Sequence, residues 1–183
     1  MAQPTSADLG AEQTAVLALV PVAEPSVARH RARLDPAARR GVPAHVTVLY
    51  PFMAPDDVDD QVLARLAAAV RTVAAFDVAF TRTAWFGRDV LWLAPEPAQP
   101  FRDVIAAVVR AFPDYPPYAG VFDGSAPHLT IGHSRLGSQG ALERAEADVV
   151  TTLPVHARVE RVHLLVGADA PGSWSVAHDF PLA

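Results

Sequence analysis

The chain carries one tetrapeptide pattern twice, as HVTV at residues 45–48 and as HLTI at residues 128–131. Both copies read histidine, apolar residue, threonine, apolar residue. The chain has seven histidines, and half of its residues are apolar, so chance predicts about 0.09 such tetrapeptides. Two copies therefore indicate an internal duplication. Each copy also has the alternation and the β-branched residues that are typical of a strand.

Alternate side chains of a strand lie on the same face. His45 and Thr47 are thus expected on one face of their strand, and His128 and Thr130 on one face of theirs, with the apolar residues turned to the core. Histidine titrates near neutral pH and can act as a general acid or base. A threonine hydroxyl can donate to a phosphate oxygen as charge grows there. Two such strands facing each other across a cleft would cleave a phosphodiester in line without a metal.

Two other interpretations of the pattern stay open. A histidine and a threonine on the polar face of a strand are often no more than half-exposed surface residues. Two histidines can also bind zinc, but no carboxylate stands at a ligand spacing from either one, as it does in H-E-x-x-H. The sequence predicts neither a metal nor another cofactor.

The composition excludes several other chemistries. The chain of 183 residues has no cysteine, which rules out disulfides, thiolate metal ligands and a cysteine nucleophile. It has no lysine either, which rules out Schiff-base chemistry and ligation through a lysyl adenylate. The formal net charge of −5 favours a short substrate over a long nucleic acid. The one dense group of basic residues is predicted to be a solvated helix face and turn; it comprises Arg29, Arg31, Arg33, Arg39 and Arg40.

Short apolar strands alternate with amphipathic helices along the rest of the chain. Several strands follow one another as hairpin-like pairs, which favours an α+β fold with antiparallel sheets and helices packed outside. The predicted helices cover residues 25–34, about 56–75, 101–112 and 139–150. The predicted strands cover residues 14–20, 44–49, 78–80, a short piece around 85, 90–94, 128–132, 155–166 and 174–180.

The ends and the apolar runs of the chain give a further set of expectations. Residues 1–12 are small and polar and are expected to be a disordered N-terminal segment, while residues 13–183 are expected to form a single domain. No apolar run reaches the roughly 18 residues of a membrane-spanning helix, and the N-terminus lacks the basic start of a signal peptide. A cytoplasmic monomer is therefore expected.

The two motifs and their flanks resemble the two-histidine phosphoesterase superfamily, which includes the bacterial 2′-5′ RNA ligase-like enzymes and cyclic phosphodiesterases. The blocks HVTVLYPF (45–52), WFGRDVLWLAPEP (85–97) and PHLTIGH (127–133) occur in the order that the family shows. The similarity covers roughly residues 14–182. The resemblance implies a bilobal fold, in which two pseudo-symmetric antiparallel sheets line a central cleft.

The resemblance also implies an activity. Members of the family cleave 2′,3′-cyclic or other cyclic ribose phosphates, usually leaving a 2′-phosphate, and some join or cleave 2′-5′ RNA bonds. His128 would then be the base that activates water, His45 would be the acid that protonates the leaving 3′ oxygen, and Thr47 and Thr130 would hold the phosphate. The expected partner is a small nucleotide or a short RNA end with a cyclic phosphate.

One position departs from the family pattern. Some RNA ligase-like members carry an arginine five residues after the second motif histidine, where this chain has His133; the counterpart after the first motif is Tyr50. A neutral histidine holds phosphate less firmly than arginine does, which weighs against ligation. His133 is either an auxiliary phosphate ligand or a strand-end residue. The alternatives to cyclic ribonucleotide hydrolysis are another cyclic phosphate, such as an ADP-ribose derivative, a 2′-5′ RNA ligase or hydrolase, and a catalytically weak nucleotide-binding module.

Aromatic and basic side chains elsewhere are secondary candidates. Arg88 could meet a phosphate or be solvated, and His163 could reach the cleft by the alternation of its neighbours. Five aromatic residues could stack a base or belong to the core or rim: Tyr50, Phe52, Trp85, Tyr118 and Trp174.

Overall fold

The strands of the chain form one antiparallel sheet. A computed structural model describes residues 12–117 and 126–183, and within them eight strands lie in the order β6-β3-β4-β5-β2-β1-β7-β8. Every neighbouring pair is antiparallel. The strands are β1 (Gln13–Leu19), β2 (His45–Leu49), β3 (Phe76–Phe86), β4 (Val90–Glu96), β5 (Leu129–His133), β6 (Val155–Val159), β7 (Arg161–Gly167) and β8 (Ser175–Pro181).

The predicted α+β class, with antiparallel strands and helices outside, is confirmed. The expectation of two sheets is not confirmed, because the two motif strands pair with each other in one sheet. β2 joins β5 through Val46 opposite Leu129, so the half β2-β1-β7-β8 continues into the half β5-β4-β3-β6. This junction has one pair in register, whereas β5 has four with β4 and β2 has four with β1. The two halves therefore remain distinct parts of one curled sheet.

Five α-helices occur in the described part of the chain: α1 (Glu24–Leu34), α2 (Pro36–Arg39), α3 (Asp60–Val70), α4 (Gln99–Ala111) and α5 (Gln139–Val150). α1 packs on β5, α4 on β2, α5 on β3 and β5, and α3 on α4 and β8. The main core lies between these helices and one face of the sheet, where Val46 and Leu129 are completely buried. None of the helices in residues 12–117 and 126–183 has the length and apolar character needed to cross a bilayer.

Four elements differ from the sequence predictions. The strand predicted over residues 155–166 is two strands, β6 and β7, which lie in opposite halves of the sheet. The helix predicted from about residue 56 begins at Asp60, because the Asp59 side chain accepts from the backbone N–H of Val62 at 2.8 Å and caps it there. The two short strands predicted around residues 78–80 and 85 are one strand, β3, whose register shifts after Phe80. The short helix α2 was missed. The predicted disordered segment lies outside the described residues except for residue 12.

Gly132 lets two helices approach β5 closely, and its replacement gives a test of this packing. In Gly132→Ala the new Cβ would lie 2.7 Å from Leu142 Cδ2 and 2.8 Å from Leu34 Cβ. Such overpacking is expected to lower the free energy of unfolding by about 1–3 kcal/mol, measured by urea denaturation. Gly140→Ala is the control, because its Cβ would meet nothing closer than the Arg144 guanidinium at 3.4 Å. Equal effects of the two substitutions would contradict the packing described for β5.

Candidate active site

Both motif strands present their histidine and threonine to one cavity. The cavity has a volume of about 750 Å³, and His45, Thr47, His128 and Thr130 all line it. The intervening Val46 and Leu129 are completely buried on the opposite face of the sheet. The alternation expected from the two tetrapeptides thus holds in both motifs, and each half of the sheet contributes one histidine and one threonine to the cavity.

The register of β2 and β5 interleaves the four side chains. Val46 lies opposite Leu129 in this antiparallel pair. Continued by one residue in each direction, the register places His45 opposite Thr130 and Thr47 opposite His128. Each histidine therefore has the threonine of the other half across from it.

Each imidazole is oriented by a backbone carbonyl two residues before it. His45 Nδ1 lies 2.7 Å from the Pro43 carbonyl oxygen, and His128 Nδ1 lies 2.8 Å from the Ala126 carbonyl oxygen. A carbonyl oxygen only accepts, so Nδ1 carries the hydrogen in both rings. Nε2 is then the nitrogen left for a ligand, and it can accept a proton when neutral or donate one when the ring is charged.

Both imidazoles favour the neutral form. Burial, helped by the positive charge of Arg31, lowers the pKa of His45 to about 4, although the Pro43 carbonyl and Asp35 act in the opposite direction. Burial also lowers the pKa of His128, whose ring packs edge-on against Phe86 at 4.8 Å between centroids. Because a negative charge close by favours an imidazolium, a bound anion would raise both pKa values.

Tyr50 and His133, the two secondary residues of the sequence analysis, line the same cavity. The Tyr50 hydroxyl donates to Gln13 Oε1 at 2.7 Å, and burial raises the pKa of Tyr50. Burial lowers the pKa of His133, and the nearby Arg135 charge lowers it further. Arg135 Nη2 lies 3.4 Å from His133 Nε2, and Arg135 also lines the cavity.

The prediction that the arginine group 29–40 is solvated is wrong for two of its members. Arg31 is only 2% exposed and forms an ion pair with Asp35. Arg40 lines the cavity and forms an ion pair with Asp169 at 2.6 Å. Arg29, Arg33 and Arg39 are exposed, as expected. Charge spacing along a helix does not reveal which member has a buried acidic partner.

Aromatic residues form two walls of the site. Tyr50 and Trp174 line the cavity from the half that contains β2, and they meet edge-on with their ring centroids 6.1 Å apart. The Trp174 ring packs directly on the backbone of Gly167, where any side chain would overlap the ring. In the other half, Phe86 lines the cavity and stacks on Trp92 at 4.8 Å. Neither Phe86 nor Trp92 is among the candidates of the sequence analysis, which predicts two short strands in place of β3.

The remaining secondary candidates lie elsewhere. Phe52 is a core residue packed on Phe112, and Trp85 donates to Glu146. Tyr118 lies outside the described residues. Arg88 is exposed. His163 pairs with Leu17 across β1 and β7; Leu17 lines the cavity, but His163 is not among the lining residues. Within residues 12–117 and 126–183, no three His, Asp or Glu side chains are grouped closely enough to hold a metal ion.

Comparison with known proteins places this site in a family. The family model of the 2′-5′ RNA ligase superfamily matches residues 19–171. The chain belongs to this superfamily. The resemblance drawn from its two motifs is thereby confirmed. No curated protein has a significantly similar sequence.

Solved structures show the same fold at low sequence identity. E. coli LigT in its apo form is 15% identical, with 95% of this chain and 99% of that one covered and a TM-score of 0.58. E. coli LigT complexed with 3′-AMP is 16% identical, with 94% and 99% covered and a TM-score of 0.57. The protein TT0787 of Thermus thermophilus is 16% identical, with 92% and 97% covered and a TM-score of 0.62.

The environment of His45 predicts a specific dependence of stability on pH. Its pKa is about 4 in the folded chain against an ordinary value of 6.5, so the unfolded chain binds more protons between these values. The free energy of unfolding should therefore fall as the pH decreases from about 6.5 to about 4. His45→Gln should remove this contribution and flatten the profile measured by urea denaturation. His178→Gln, at an exposed position of β8, should keep the wild-type slope. Parallel profiles for the wild type and His45→Gln would contradict the environment described for His45.

Proposed function

We propose that the protein is a metal-independent phosphodiesterase that hydrolyses 2′,3′-cyclic or related cyclic ribose phosphates and leaves a 2′-phosphate. One observation carries the proposal: His45 and His128 enter one cavity from two halves of the sheet, each with Nδ1 bound to a carbonyl. A pair of imidazoles with available Nε2 atoms is what in-line cleavage needs, one on each side of the phosphorus. Membership of a phosphoesterase superfamily supports a hydrolase.

The proposed reaction begins at His128. Its Nε2 removes a proton from water as the water oxygen attacks phosphorus, and the bond from phosphorus to the 3′ oxygen breaks. His45, as imidazolium, gives its Nε2 proton to that oxygen, so the ring opens and the phosphate stays on the 2′ oxygen. Thr47 and Thr130 donate to the non-bridging oxygens, where negative charge accumulates. Each proton and each bond is accounted for by the histidine pair and the water.

The protonation state has to be set by the substrate. Arg31 works against the charged form of His45 in the free protein, whereas it is not among the groups that shift His128. The anionic phosphodiester between the imidazoles would favour one proton on the pair. Activity would then require one neutral and one charged ring, which gives a bell-shaped dependence on pH.

The cavity suits a short ligand. Its two aromatic walls can stack a nucleobase, and the guanidinium groups of Arg40 and Arg135 can meet further phosphate oxygens. A net charge of −5 does not favour a long nucleic acid. The E. coli LigT structures with 3′-AMP and with ATP support a nucleotide as the ligand class. A monomer acting in the cytoplasm remains the expectation from the sequence.

A 2′-5′ RNA ligase or hydrolase is the second candidate, because the matching family bears that description. His133 in place of an arginine weighs against ligation, although Arg135 lies beside it. Turnover of a 2′,3′-cyclic mononucleotide, compared with that of a 2′-5′-linked dinucleotide, separates the two. A nucleotide-binding module without turnover would bind both compounds and release them unchanged.

Substitution of the histidines tests the proposal directly. General acid and base groups contribute about 10²–10⁴-fold each. His45→Ala and His128→Ala should each lose that much kcat with a 2′,3′-cyclic mononucleotide, and the double variant should be little worse, because residues that act as a unit are non-additive. Thr47→Val or Thr130→Val should lose about 10–10³-fold. His178→Ala is the surface control. Wild-type rates in either histidine variant, or a wild-type enzyme that EDTA inactivates and zinc or magnesium restores, would overturn the proposal.

The roles of the two histidines need a different substrate. A leaving group of low pKa departs without a proton, so a phosphodiester with such a group should no longer need the acid. The His45→Ala variant should then recover much of its rate, while His128→Ala, which lacks the base, should stay slow. Product formation can be followed spectroscopically with a nitrophenyl ester. Recovery of both variants to the same degree would contradict the assignment of acid and base.

A further inference from the structure

A buried ionic network lies beneath the first motif. Arg31 of α1 and Asp35 have side chains that are 2% and 4% exposed, and Arg31 Nη2 lies 2.8 Å from Asp35 Oδ2. Arg31 Nε donates to the same oxygen at 3.0 Å, and Arg31 Nη1 lies 3.5 Å from Glu24 Oε1. Removing charges from water costs free energy that their pairing often fails to offset, so a buried ion pair is weak evidence for a role in stability alone.

The network holds the segment that leads into β2. Arg31 Nη2 donates to the Val42 carbonyl oxygen at 3.1 Å, and the backbone N–H of Ala44 donates to the Glu24 carboxylate. Pro43 lies between these two anchors and has no N–H of its own. Its carbonyl is the acceptor for His45 Nδ1. The orientation of the His45 ring is thus connected to Arg31 through two hydrogen bonds and one peptide segment.

The second motif differs at this point. Its orienting carbonyl belongs to Ala126, which His128 Nδ1 contacts in the equivalent way. In the part of the chain that the structure describes, no charged side chain bonds to the backbone of residues 126–128. Both motifs thus share the histidine-to-carbonyl bond, whereas among the described residues the ionic anchor belongs to the first motif.

We propose that Arg31, held by Glu24 and Asp35, is a positioning residue for His45. It fixes residues 42–44 so that the Pro43 carbonyl holds Nδ1 and directs Nε2 into the cavity. Its effect on turnover rests on the function proposed above; its effect on the ring itself does not. Arg31 acts through backbone groups and does not need to touch the substrate.

The network also carries charge toward the cavity. The ionisable groups facing His45 are Arg31 from α1, Asp35 from the segment between α1 and α2, and His128, which immediately precedes β5. The remaining ionisable groups of the cavity wall are Arg40, Tyr50, His133 and Arg135. Arg31 lowers the pKa of His45 and Asp35 raises it. Removal of the Arg31 charge should therefore raise the pKa of His45, and removal of the Asp35 charge should lower it.

The test uses the full chain and four variants. In Arg31→Gln, the titration of His45 followed by NMR without substrate should move to higher pH, and the ¹⁵N shifts should show a loss of the Nδ1–H form. Arg31→Lys keeps the positive charge, so His45 should titrate as in the wild type. A lysine ammonium cannot reproduce all the hydrogen bonds of the guanidinium, so the orientation of the His45 ring should still become less fixed. Asp35→Asn should move the titration to lower pH. Arg29 lies on α1, as Arg31 does, but its ion pair with Asp148 is exposed. Arg29→Gln is therefore the control and should change none of these signals.

Kinetics gives the second measurement. Misplacement of a catalytic group by about 1 Å can reduce the rate roughly 10²-fold. Arg31→Gln should therefore lose about that factor in kcat with a smaller change in KM, and Arg31→Lys should recover part of the lost kcat.

An unchanged His45 titration and ¹⁵N pattern in Arg31→Gln would overturn the proposal, as would shifts of the same sign in Arg31→Gln and Asp35→Asn. If Arg31→Gln does not fold, Glu24→Ala, which removes both the acceptor of the Ala44 N–H and the ion-pair partner of Arg31 Nη1, must alter the His45 ¹⁵N pattern for the proposal to stand. A wild-type protein that is inactive on cyclic phosphates would refute the proposed function, while the NMR result would still decide the role of Arg31.

Discussion

The pairing of β2 with β5 is the constraint on which the rest of the site depends. Val46 and Leu129 meet at the junction and are completely buried against the helices. Because side chains alternate along a strand, this apolar pair turns both histidines and both threonines to the opposite face. A slip of one residue in either strand would place the catalytic candidates in the core and the apolar residues in the cavity. Burial of two apolar side chains thus selects the arrangement of four polar ones.

A second consequence concerns preorganisation. Each imidazole is held at Nδ1 by a carbonyl of its own chain segment, so its ring has one tautomer and one direction before any ligand arrives. Burial lowers the pKa of both rings, which favours their neutral forms in the absence of a ligand. The permanent cations that line the cavity are Arg40 and Arg135. On the function proposed above, the charge of a bound phosphodiester would itself favour the protonated ring that cleavage needs.

Some elements of the fold and of the site could be predicted from the sequence, and others could not. The two tetrapeptides predicted the strands and the face of each catalytic candidate, and apolar periodicity predicted α4 and α5 closely. The merging of two sheets into one was not predictable, because it depends on a contact between residues 83 positions apart. The burial of Arg31 was missed for a related reason: its partners include a carbonyl eleven residues away, while its neighbours on α1 are exposed. Phe86 and Trp92 were missed because the length and face of β3 follow from pairing with β4.

The proposed reaction requires both halves of the sheet to act on one phosphate. A crystal structure of the wild-type protein with a bound nucleoside 2′-phosphate, the product of that reaction, is the sharpest test. The phosphate is expected between His45 and His128, with Nε2 of each ring and the hydroxyls of Thr47 and Thr130 within hydrogen-bonding distance of its oxygens. A phosphate bound by the residues of only one motif, or bound outside the cavity, would contradict it.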